Sequence, residues 1–112
     1  MQEINFHNKT FQLLDNSANG KVDDQTVFKY QQQGDLVTAD YHGGTVIYGK
    51  IIARLDGSTL QMLYHCYTVD KELKAGKATA KISLTTAGKI KLSLDWQWLD
   101  NQGSGSSTYI EI

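Results

Sequence analysis

The sequence predicts an all-β chain, a single antiparallel meander of about eight strands closed, or nearly closed, into an up-and-down barrel. Three observations predict it. Apolar and polar residues alternate with period two over long runs, the mark of strands with one dry face. Clusters of Gly, Asn, Asp and Ser separate those runs. A chain of 112 residues has room for one core and not for two, so a single domain over 1–112 is expected. A two-sheet β-sandwich needs the same alternation and is the alternative.

Strands are expected at 9–15, 25–32, 36–42, 45–55, 59–69, 77–85, 89–99 and 106–112, with a short extra strand at 2–7. The turns between them have a chemical reason. Gly34-Asp35, Gly43-Gly44, Asp56-Gly57 and Ala87-Gly88 supply residues that tolerate the positive φ of tight hairpins. The clearest alternation sets Ile90, Leu92, Leu94, Trp96 and Trp98 against Lys89, Lys91, Ser93, Asp95 and Gln97. Ala78, Ala80, Ile82 and Leu84 repeat the pattern against Lys77, Thr79, Lys81 and Ser83, as do Leu60, Met62, Tyr64 and Cys66 in the preceding strand. The strand at 45–55 is less regular, with Ile47, Gly49, Ile51, Ala53 and Leu55 read as one face and Val46, Tyr48, Lys50, Ile52 and Arg54 as the other. TVDKELKAG is the one segment read as helical, a turn or two capped by Asp70 and ended by Gly76.

Composition narrows the function. Eleven basic against twelve acidic residues leave a net charge of -1, which gives no general attraction to nucleic acid. No apolar run approaches the roughly 20 residues of a membrane-spanning helix. Cys66 is the single cysteine, and the N-terminus lacks the pattern of a secretory signal, so a cytoplasmic location is expected. Asn8-Lys9-Thr10 matches a glycosylation sequon and is read as a turn. His7, His42 and His65 fall on separate segments without ligand spacing, so neither a metal nor another cofactor is expected. Cys66 is read as a small buried hydrophobe.

Trp96 and Trp98 lie two apart on one strand and face the same way. With Tyr64 and Tyr30 from other strands they form the candidate ligand-binding set, since aromatic faces with a polar edge suit a flat, partly apolar molecule. The competing reading is that the same rings fill a small barrel. No carboxylate pair or nucleophile with a base is placed for catalysis.

The succession NKTF, TVFKYQQQGDLVTADYHGGTVIYGKI, LQMLYH, GKIKL, DWQW and IEI resembles a poorly characterised family of small bacterial proteins of about this length. The resemblance spans nearly the whole chain, and some members carry the name N-acetylglutamate synthase, which implies an acetyltransferase activity. The acyl-CoA pyrophosphate turn, Q/R-x-x-G-x-G/A entering a helix, finds its nearest match in QQQGDL at 31–36. There Leu36 replaces the final small residue, and a strand follows. Three functions follow in order. The first is a non-enzymatic, calycin-like barrel holding a small apolar or amphiphilic ligand. The second is an interaction module or homodimer that uses Val46, Tyr48 and Ile52 on an outer face. The third is an enzyme built on His65 and a neighbouring tyrosine.

Overall fold

The computed structural model describes residues 4–16, 25–99 and 103–112. Eight strands follow one another: β1 (Lys9–Asn16), β2 (Val27–Gln33), β3 (Leu36–Gly43), β4 (Val46–Asp56), β5 (Thr59–Thr68), β6 (Leu73–Leu84), β7 (Ile90–Trp98) and β8 (Ser104–Glu111). Each pairs antiparallel with the next, and β8 returns to β1, so the sheet is a closed barrel and not a sandwich. Closure leaves no unpaired edge. The dry faces meet inside: Ile90, Leu92, Leu94, Trp96 and Trp98 are all buried, as are Leu60, Met62 and Cys66 of β5.

The barrel has two unlike ends. At one, the turns β2–β3, β4–β5 and β6–β7 surround the segment preceding β1, whose Phe6 is fully buried against Phe11 and Tyr30 at centroid distances of 5.9 and 5.5 Å. That segment is held by two hydrogen bonds, from Phe6 N–H to Gln32 Oε1 at 2.8 Å and from Asn8 N–H to the Tyr30 carbonyl at 3.0 Å. This is the plugged end. Across the rest of it Val37, Leu60 and Leu92 are fully buried, so the lining there is hydrocarbon. The other end carries the β1–β2, β3–β4, β5–β6 and β7–β8 connections and is called the loop end.

Several expectations change. Residues 4–8 form no strand; they are the plug, with Asn8 in a turn, and 1–3 lie outside the described residues. No helix occurs among the described residues. The segment read as helical is instead a turn closed by Thr68 N–H to the Glu72 carbonyl and Lys71 N–H to the Thr68 carbonyl, at 3.0 and 2.9 Å. β6 then begins at Leu73, four residues before the expected start, and Gly76 lies inside it. In β4 the register shifts between Val46 and Tyr48, so a bulge reverses the alternation. Val46 is consequently buried and Ile47 exposed, the opposite of the expected faces, while Tyr48 and Ile52 do face outward. Gln31–Leu36 forms the β2–β3 hairpin.

Candidate functional site

Three aromatic groups fill the interior. Phe6, Phe11 and Tyr30 form the plug cluster. Phe28 stacks on Tyr41 and meets Tyr109 edge-on, at 4.8 and 4.9 Å. Toward the loop end, Trp98 packs against Trp96 at 5.5 Å and against Tyr64 at 5.7 Å. Three of the four residues singled out from the sequence, Tyr64, Trp96 and Trp98, are therefore neighbours. Tyr30 is inward and buried as expected, yet it belongs to the plug cluster and does not join them.

Tyr64 and Trp98 meet because nothing stands between them. The register places Tyr64 of β5 beside Gly76 of β6, and Gly76 beside Trp98 of β7. A Cβ on Gly76 would fall on the Tyr64 ring, so glycine lets the ring lie flat across β6 toward the indole. Tyr41 uses the same device. It pairs with Gly49 across β3 and β4, lies over that bare backbone, and donates its hydroxyl to the His65 carbonyl of β5 at 3.1 Å. His65 itself is exposed on the outer face.

Polar atoms gather in this half of the barrel. Trp96 Nε1–H donates to the buried Ser107 hydroxyl at 2.8 Å, and Ser107 is also hydrogen-bonded to Tyr109. Thr68 and Thr26 are buried nearer the loops, where the Thr26 hydroxyl donates to the Gly43 carbonyl at 3.0 Å. Burial raises the hydroxyls of Tyr30, Tyr41 and Tyr64 above their usual value and pushes Tyr109 up to about 12, so all four stay neutral donors. Tyr64 is the half-buried member of the Tyr64–Trp98–Trp96 trio.

Sequence reasoning missed two of these groups. Tyr41 and Tyr109 belong to the same inner surface, and the signal that could have found Tyr41 is its partner, a glycine inside a strand. Among the described residues no group of three or more His, Cys, Asp or Glu side chains is placed to hold a metal ion. A family model described as avidin-like protein matches residues 4–112. No curated protein and no solved structure is significantly similar to the chain.

Proposed function

The chain belongs to the avidin-like protein family, and from that premise we propose that it is a non-enzymatic barrel that takes a small, flat, partly apolar ligand at its loop end. Avidin-like barrels bind small ligands such as biotin. The observation that carries the reading is the polarity of the lining. Hydrocarbon and the Phe6–Phe11–Tyr30 plug occupy one end, while the hydroxyls of Tyr41, Tyr64 and Ser107 and both indoles lie farther along the barrel. Such a surface offers faces to a flat body and a few donors to orient its polar atoms. The only tryptophans in the chain are Trp96 and Trp98, so their emission reports on this site alone. Titration with biotin and a panel of flat amphiphiles is expected to give a saturable change in emission for at least one compound. Unchanged emission across the panel, with the fold intact by circular dichroism, removes the proposal.

A second reading is self-association through the outer face, as avidin-like barrels often form oligomers. Exposed Ile52 and Leu63 pair across β4 and β5, and Tyr48 and Leu99 border the same groove. Cross-strand register also forms one outward row, Arg54, Gln61, Thr79 and Asp95, with opposite charges at its ends. Arg54 and Asp95 make no ion pair among the described residues. A two-fold axis between β5 and β6 would set each against the other in a second copy. Light scattering is expected to show a dimer that Leu63→Asp dissociates; a monomer at all concentrations excludes this reading.

A further inference from the structure

The barrel is plugged by a part of the chain that does not belong to its wall. Residues 4–8 pair with no strand, and of them only the Phe6 ring goes fully inside: Asn5, His7 and Asn8 are exposed and Ile4 is half-buried. The recess that receives the ring is built from the wall. Phe11 pairs with Phe28 and Glu111, and Tyr30 with Lys9 and Ala39, so both sides of the recess are held in register without any help from Phe6.

Few polar ties hold the segment. At its free side the Gln32 amide accepts from Phe6 N–H through Oε1 and donates through Nε2 to the Gly34 carbonyl, both at 2.8 Å, so one side chain fastens the plug to the β2–β3 hairpin. At the other side Asn8, with φ of 59°, turns the chain into β1; its N–H reaches the Tyr30 carbonyl, its Oδ1 accepts from Gln31 Nε2 at 3.2 Å, and Lys9 N–H closes the turn on the Phe6 carbonyl at 3.1 Å. Rotation at Asn8 carries Phe6 out of the barrel without parting any pair of strands. We propose that residues 4–8 are a strap with Gln32 as its catch, and that the strap keeps closed a second pocket, at the pole opposite Trp98, which takes one benzene-sized apolar ring from outside when the Phe6 ring leaves. Release exposes one phenyl ring and breaks a handful of hydrogen bonds, far less than unfolding the barrel costs, so it occurs as a local opening. A ring that fills the vacated recess multiplies the open population by the usual factor for a ligand that binds one state alone. None of this rests on the ligand reading at the loop end.

Native-state hydrogen exchange on the full chain, with and without toluene, tests both halves. The amides of Phe6, Asn8 and Lys9 are expected to exchange together and well before those of β6 and β7. Gln32→Met, which keeps the length of the side chain and removes its amide, is expected to speed Asn8 and Lys9 by about tenfold, the scale of one hydrogen bond. Their acceptors are the Tyr30 and Phe6 carbonyls, so a loss confined to Gln32 would not reach them. Toluene is expected to speed the same three amides severalfold in the wild-type protein and to leave β6 and β7 unchanged, whereas toluene bound elsewhere on the folded barrel would not release them. Circular dichroism checks that Gln32→Met folds, and the toluene arm needs no variant. Three amides that exchange only together with the barrel, or rates at Asn8 and Lys9 that Gln32→Met leaves unchanged, overturn the strap. Rates that toluene leaves unchanged overturn the pocket, and in either case ligand binding at the loop end stands.

Discussion

A methyl group added at Gly49 would fall on the ring of Tyr41, and its three nearest atoms all belong to that ring. One added at Gly76 would meet the Tyr64 ring and also the backbone carbonyl oxygen of Gln97, 2.7 Å away. The two substitutions are thus expected to behave differently. Each should cost about 1–3 kcal/mol as overpacking. Trimming Tyr41 should relieve Gly49→Ala, giving a favourable coupling in a double-mutant cycle, whereas trimming Tyr64 should not relieve Gly76→Ala, because the carbonyl cannot move aside. Chemical denaturation of the four single and two double variants measures both. Trp96 is 7% exposed and its indole N–H is engaged by Ser107, so Trp96→Ala is expected to lose about 3–5 kcal/mol of stability. At this scale the sequence carried much of the aromatic lining. Period two gave the inward direction of Tyr64, Trp96 and Trp98, with Tyr30 added from its strand alone, but not which rings share a neighbourhood. That depends on register and on the height of each strand in the barrel, which is why Tyr30 was grouped with the wrong partners.

Elements were legible where turn chemistry marked them. The structure puts the β3–β4 turn one residue later than expected, at Gly44-Thr45: Gly43 ends β3 with φ of 114°, Gly44 opens the turn at 61°, and a Cβ on Gly43 would strike the carbonyl of Gln25. Gly44→Val puts a β-branched residue at positive φ, with an expected loss of about 1–2 kcal/mol or more, read as a lower melting temperature; an unchanged one would contradict the hairpin geometry. The start of β6 was illegible for a definite reason. Lys, Glu and Leu in DKELKAG favour a helix locally and Asp70 could cap one, while the tertiary pairing of Leu73–Gly76 with β5 draws the segment into the sheet. The β4 bulge was equally invisible, because one extra residue reverses the faces of Val46 and Ile47 without leaving a mark in composition.

For the whole molecule, four buried or half-buried tyrosines tie stability to alkaline pH. Burial is the largest cause of the raised values at Tyr30, Tyr41, Tyr64 and Tyr109. The unfolded chain ionises these phenols near pH 10 while the folded barrel keeps them protonated. Their stabilising contribution is therefore complete below pH 10 and is lost as pH rises through about 12, the value for Tyr109, and beyond. The melting temperature is expected to fall steadily above pH 10, with the phenolate absorbance of these four residues appearing together with unfolding. Early ionisation of all tyrosines in a barrel that stays folded would contradict their burial. Glu111 works in the opposite direction. Burial raises its carboxyl, but the hydrogen bond from Ile90 N–H and the Lys9 ammonium at 3.1 Å reverse this and hold it below its ordinary value, so its contribution is lost as the solution becomes acid.

The β1–β8 seam has a further consequence. Ile112 N–H reaches the Thr10 carbonyl at 2.8 Å, so the last described residue lies beside the first strand at the plugged end, where Phe6 also sits. A linker attached after Ile112 would leave the barrel at the pole opposite Trp98. Molecules tethered to a surface by that linker should all stand the same way up, with the Trp98 end toward solution, and ligand affinities measured in free solution should carry over to the immobilised layer.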